Sequence, residues 1–153
     1  MPYAGYGCTS RGSSTWTTSC GFPLLPSADQ VFELEVLGEL ETLDVDTAGT
    51  NFDTIVDIRF DDCANAALAC NDEGPDATDG TSAFQLTDVS PGTYFIVVEG
   101  FFGAVGTINL NVAGVIKSGQ SCDPVAETAG LLVCEAGNSC QGSVDAETCQ
   151  PDP

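Results

Sequence analysis

The chain has 153 residues, eight cysteines, no histidine, three basic residues and a formal net charge of -20. That charge repels nucleic acid and anionic lipid, so neither is an expected partner. The missing histidines remove the commonest general base and the commonest metal ligand. An apolar share of 42% argues against wholesale disorder, and no stretch approaches the ~20 apolar residues of a membrane span.

Residues 1–28 read as an irregular N-terminal segment broken by Gly5, Gly7, Gly12, Gly21, Pro23 and Pro26. From Val31 to Leu37 the pattern alternates, with Phe32, Leu34 and Val36 on one face and Glu33 and Glu35 on the other, which predicts a half-buried strand. Leu43 and Val45 continue the alternation against Asp44 and Asp46. Asp53 to Phe60 predicts another strand, with Ile55, Asp57 and Arg59 opposite Thr54, Val56, Ile58 and Phe60. A short excursion follows to Cys70, then a brief strand and an acidic loop over 71–82. Ala83 to Val89 alternates again, and Ser90-Pro-Gly92 marks a turn. Gly92 to Gly100 is a near-continuous apolar run, which predicts a central strand covered on both faces. Phe101 to Gly106 reads as a hairpin loop, from which Thr107 to Val112 returns as the last strand.

About seven strands at this spacing, with no convincing helix, predict an all-β fold: an antiparallel β-sandwich or jelly roll over 29–114. Residues 115–153 hold Cys122, Cys134, Cys140 and Cys149, with Leu131, Leu132 and Val133 as the only apolar cluster. They read as a small disulfide-rich tail too short to fold on a core of its own.

Eight cysteines at this density imply disulfides and an oxidising, extracellular setting. A cysteine metal site would need a CxxC-type pair, and none exists. Met1 to Cys20 lacks the basic-then-apolar pattern of a secretory leader, so the cysteines alone carry the expectation of secretion. The local pairings expected are Cys8–Cys20 and Cys63–Cys70. The last four cysteines allow three connectivities, of which Cys122–Cys140 with Cys134–Cys149 is preferred.

Asn51-Phe-Asp-Thr-Ile-Val56, Leu68-Ala-Cys-Asn-Asp72, Pro91-Gly-Thr-Tyr-Phe-Ile-Val-Val-Glu-Gly100 and Gly106-Thr-Ile-Asn-Leu-Asn-Val112 occur in that order. Over roughly 28–113 this resembles the bacterial pre-peptidase C-terminal (PPC) domain family. The resemblance implies a secreted β-sandwich, an accessory module of extracellular proteases and surface proteins, without catalysis of its own. The cysteine pattern of the tail is similar to Cys-rich segments of myxobacterial surface proteins.

Among candidate sites, the sharpest is acidic. Asp53, Asn71, Asp72, Glu73 and Asp76 could present oxygens to calcium, which takes six to eight of them from loops. The spacing fits no EF-hand, and the alternative is a solvated acidic loop in which Asp72 or Asp53 hydrogen-bonds backbone turns. Tyr3, Tyr6, Phe101 and Phe102 are candidate binding aromatics, for a glycan or a protein; alternatively Phe101 folds back over the sandwich and Trp16 plugs a core edge. Serine lacks a histidine partner, and the aromatic content is thin for a glycosidase cleft, so no enzyme is expected. The expected partners are a protein or glycan at the cell surface, or copies of the chain itself. In that last case residues 1–28 would add a strand to a neighbour's sheet edge.

Overall fold

A computed structural model describes residues 16–21, 27–74 and 80–153. Among these residues ten strands follow one another: β1 (Asp29–Val36), β2 (Leu40–Asp46), β3 (Thr54–Phe60), β4 (Ala67–Asn71), β5 (Ala83–Val89), β6 (Gly92–Gly100), β7 (Asn111–Ile116), β8 (Leu132–Cys134), β9 (Asn138–Gln141) and β10 (Thr148–Pro151). Two four-stranded sheets, β1-β6-β3-β4 and β5-β2-β7-β8, face each other, and β9 and β10 form a small hairpin. The fold is all-β, a wound sandwich with a disulfide-rich C-terminal region.

One core lies between the sheets. Phe32, Leu34 and Val36 of β1 meet Val56 and Ile58 of β3 and Tyr94, Ile96 and Val98 of β6; Leu40, Leu43, Val45 and Ile116 supply the opposite wall. In β1, β3 and β6 these are the residues that strict alternation places on one side of the strand. In β2 both Leu40 and Leu43 are fully buried, an odd spacing that a register shift against β7 between Leu40 and Thr42 accommodates.

Three sequence expectations are corrected here. Residues 101–106 are no hairpin loop: β6 and β7 lie in different sheets, and the chain crosses from one to the other. The strand expected at Thr107 begins at Asn111; Leu110 is buried from an irregular approach, so apolar alternation there reports packing without strand pairing. Nor is the sequence free of helix, because Pro124–Thr128 forms one turn, α1, with Asp123 accepting from the Val125 N–H at 2.7 Å. Asp123 caps the turn and Pro124 costs it no hydrogen bond.

The expected boundary between residues 114 and 115 falls inside β7. Beyond it, β8 adds to the sandwich by pairing parallel with β7, Leu132 opposite Gly114 and Cys134 opposite Ile116. Gly114 makes this possible: a Cβ there would meet Leu132 Cδ2 at 2.7 Å. Leu132, Cys122, Cys134 and Cys149 are buried in the same core as the sandwich strands. The tail is thus docked on the core, as burying its few apolar groups requires.

Cys122 pairs with Cys140 and Cys134 with Cys149, the connectivity preferred from sequence. The two expected local pairs are corrected: Cys20 bonds Cys70 across 50 residues, which rules out both Cys8–Cys20 and Cys63–Cys70. Cys63 is disulfide-bonded, though not to Cys70. The physical reason is facing. Cys70 lies opposite Asp57 and so shares the outer face of its sheet with Asp57, where the 16–21 segment lies. Cys8 falls outside the described residues.

Candidate functional site: an acidic and aromatic end of the sandwich

β3 begins at Thr54, and its Asp53 carbonyl accepts from the Phe101 N–H at 2.9 Å. That bond places the acidic residues and the aromatic turn at one end of the sandwich. The neighbouring backbone is fixed by a buried hydroxyl knot. Thr47 and Thr54 exchange a hydrogen bond at 2.7 Å, the Ser82 N–H donates to Thr47 Oγ1 at 2.9 Å, and Ser82 Oγ donates to the Thr54 carbonyl. Such satisfied buried groups hold loops that would otherwise carry unpaired backbone. Gly80, at φ +69, closes the loop, with its position for a Cβ 3.1 Å from Asp53 Cα; a left-handed residue with no side chain is what this approach requires.

Asp53, Asp72 and Glu73 come close enough to feel one another's charge. Partial burial lifts the Asp53 carboxyl above its ordinary range and Glu73 lifts it further. Asp72 is raised in the same way, first by burial and then by Asp53 and Glu73. Like charges held together disfavour ionisation of each. Asn71 turns its amide oxygen to the Ala83 N–H at 3.2 Å. That oxygen therefore serves the backbone at the start of β5. Among the described residues no three carboxylates bring their oxygens within 4.8 Å of one another. Asp76 lies outside the described residues. The arrangement can attract a cation and would be relieved by one, since calcium is a hard ion that accepts carboxylate and carbonyl oxygen alike.

Phe101 to Gly103 form a single 3-10 turn. Phe101 and Phe102 meet edge to face with ring centroids 4.5 Å apart. Phe102 adopts φ 49, a left-handed conformation that costs a bulky residue energy, and 55% of it is exposed. Tyr3 and Tyr6 lie outside the described residues. Trp16 does not plug a core edge: it lies over the outer face of the first sheet, its ring centroid 5.9 Å from the Arg59 guanidinium carbon.

That outer face holds residues whose combined role sequence reasoning missed. Arg59 donates to both Asp57 oxygens, to the Cys63 carbonyl at 2.6 Å and to the Thr17 carbonyl at 2.7 Å. Asp57 is fully buried and Arg59 nearly so. The signal was present, since Asp57 and Arg59 share a strand face with Ile55 and a buried charge demands a partner. What the pattern did not reveal was that residues 16–21 would cover them.

The sulfurs of Cys122, Cys134 and Cys149 lie within 4.8 Å of one another. They belong to two adjacent disulfides, and a sulfur in a disulfide is no thiolate ligand. Three disulfides among the described residues fit an oxidising environment. No helix among the described residues is long and apolar enough to cross a membrane. No family model matches the chain, and neither the curated proteins nor the solved structures hold a match.

Proposed function

We propose that the protein is a non-catalytic binding module working outside the cell, of the kind its resemblance to the PPC family implies, and that it binds through the end of the sandwich that carries Asp53, Asp72, Glu73, Phe101 and Phe102. One observation carries this reading: a strained, exposed aromatic residue beside repelling carboxylates, on a scaffold stiffened by disulfides. Strain at an exposed position persists only where surrounding structure imposes it, and such positions cluster at binding sites. Loops held on a rigid scaffold are where binding residues concentrate. An aromatic face suits the apolar face of a sugar or an apolar protein side chain, and the carboxylates suit hydroxyls, a basic group or a calcium ion. A cell-surface glycan or protein is therefore the partner class.

The test is a panel of immobilised glycans and surface-protein fractions, read with 5 mM calcium and again with EDTA. Retention that Phe102→Ala weakens by tenfold or more supports the reading; retention indifferent to Phe102 and to the carboxylates overturns it.

A second reading, that copies assemble into a surface layer or filament, rests on β1. Among the described residues this eight-residue strand pairs with β6 on one side only, an edge whose backbone could accept another strand. Glu33 and Glu35, which point away from the core, are the type of charge that resists such pairing. That is why binding is preferred. Light scattering and electron microscopy decide between them: a monodisperse monomer favours binding, and fibres or sheets favour assembly.

A further inference from the structure

The last four cysteines make one sulfur cluster as well as two bonds. The sulfurs of Cys122, Cys134 and Cys149 all lie within 4.8 Å of one another, and Cys140 is bonded to the first of them. Cys122, Cys134 and Cys149 are buried; Cys140, on β9, is only partly so. Both cystines tie the β9–β10 hairpin to the rest of the molecule. Cys122–Cys140 holds β9 to the segment before α1, and Cys134–Cys149 holds β10 to β8.

The hairpin ladder also sets up a different pairing. Cys140 and Cys149 stand directly opposite each other, so their side chains share one face. Neither N–H serves the pair: that of Cys140 donates to Glu127 Oε2 at 3.0 Å, and that of Cys149 to the Gln120 carbonyl at 2.9 Å. The Cys149 carbonyl accepts instead from the Gly119 N–H at 2.8 Å. Cys140 and Cys149 are therefore a non-hydrogen-bonded pair, the kind that brings Cα atoms to about 4.5 Å. That separation lies within the roughly 4.4–6.8 Å that a disulfide spans. The complementary bond, Cys122–Cys134, would join two sulfurs already in the cluster. Chain entropy scarcely separates the two pairings, because loop cost grows only with the logarithm of length. The spans 122–134 and 140–149 are modestly shorter than the present separations of 18 and 15 residues.

We propose that this cluster is a thiol–disulfide exchange site, which takes a small thiol as co-substrate and converts the hairpin from a sandwich-tied to a self-closed state. The thiolate enters at Cys140, the one sulfur of the four that is not buried, forming a mixed disulfide there and expelling Cys122 as a thiolate. Cys122 attacks Cys134, which makes Cys122–Cys134 and expels Cys149. Cys149 then attacks Cys140 across the ladder, which makes Cys140–Cys149 and returns the thiolate. Three S–S bonds form and three break, no electron is gained or lost, and the thiol is a catalyst. The chain carries a charge of -20 and no basic residue follows Lys117, so a cationic thiol such as cysteamine approaches most readily. After exchange neither of these bonds crosses from the hairpin to the sandwich. The hairpin then depends on non-covalent contacts, such as the backbone bonds of Gly119 and Gln120 to Cys149 and of Cys122 to the Glu147 carbonyl. It opens more often than the twice-tethered form.

Cleavage after Glu127, Glu135 and Glu147 puts each of the four cysteines in its own peptide, so mass spectrometry without reduction reads the pairing. The experiment incubates the folded full chain with a substoichiometric amount of cysteamine, then alkylates and cleaves it. Without thiol only the present pairs should be found. With thiol, Cys122–Cys134 and Cys140–Cys149 should appear together in at least a tenth of the chains. In those chains, separated by chromatography, amide exchange over 138–151 should run at least tenfold faster while β6 stays protected. Cys140→Ser should start the relay with no added thiol: its Cys122 captures Cys134 and leaves Cys149 as the alkylated residue. Present pairs that survive cysteamine unchanged, a Cys122–Cys149 bond in their place, alkylation confined to Cys122 in Cys140→Ser, or an exchanged hairpin as protected as before each overturns the proposal.

Discussion

The sandwich strands and the C-terminal segment share one core but fill it differently. From β1 to β7 the interior is aliphatic and aromatic, with Leu40, Leu43, Ile58, Ile96 and Val98 all within 1% of full burial. From residue 117 onward, the buried apolar positions are Leu132 and three half-cystines, Cys122, Cys134 and Cys149. The first region is stabilised by area removed from water, about 25 cal/mol per Å². The second has too little area, and cross-links offset the chain entropy that area would otherwise balance. The lesson is one of dependence: the sandwich supplies the wall against which the cystines pack, so losing the wall should cost both regions, while losing a cystine should cost mainly one.

The sharpest test of that asymmetry sets Leu43→Ala against Cys134→Ala/Cys149→Ala. A fully buried leucine cut to alanine leaves a cavity and costs about 2–5 kcal/mol. Scanning calorimetry should show one transition shifted down as a whole. The 15-residue Cys134–Cys149 loop is worth about 3 kcal/mol by chain entropy. Its loss should loosen β8 to β10 ahead of the rest, seen as early hydrogen exchange in 132–151 with the β6 amides still protected. Equal loss of protection in β6 and β10 for the cystine variant would contradict the division. Gly38→Ala probes the seam between the regions more gently. A Cβ at Gly38 meets Gln120 Cβ and the Ser121 backbone nitrogen, both at 2.8 Å, so the C-terminal backbone must give way. Overpacking of this kind costs about 1–3 kcal/mol, and limited proteolysis should cut the tail faster while the sandwich melts almost unchanged.

The sandwich was legible because its strands alternate. Phe32, Leu34 and Val36, and Tyr94, Ile96 and Val98, announce an inner face by their spacing alone. The near-continuous run over Gly92–Gly100 further said that something covers the outer face. What covers it was not legible, because period-2 patterning carries no information about a segment some 80 residues away in sequence. The same gap explains the cystines. Cys63 and Cys70 are near neighbours in sequence, but Cys70 shares the outer face with Asp57, and the partner it meets there comes from the 16–21 segment. For the C-terminal four, short loops and little other stabilisation leave few arrangements that pack. At the candidate site, Asp53, Asp72 and Glu73 do gather with Phe101 and Phe102. The Phe101–Asp53 backbone bond joins the acidic and aromatic sets, and main-chain contacts leave no trace in side-chain pattern. Asp88 and Lys117 show the opposite limit. The chain's sole lysine sits between Glu39 and Asp88, and these hydrogen bonds hold its ammonium charged well above the usual range, though nothing in the spacing of the three foretold it.

The smallest expected effect separates repulsion from a true cation site. Asp53 and Asp72 both have carboxyls raised in the folded chain. The folded state therefore binds more protons than the unfolded state just above pH 4, and stability must fall as pH climbs through that window. Lowering the pH from 7 to 5 should raise Tm by a degree or two. If calcium binds among these groups it should raise Tm at pH 7 by about 3–6 °C. At tenfold excess over its Kd the stabilisation is about 1.4 kcal/mol, lost on adding EDTA. Asp53→Asn/Asp72→Asn should abolish the calcium response and shrink the pH response. A Tm that rises at pH 5 yet ignores calcium at pH 7 would leave the carboxylates as mutually repelling groups without a resident ion. The binding surface would then rest on Phe101 and Phe102 alone.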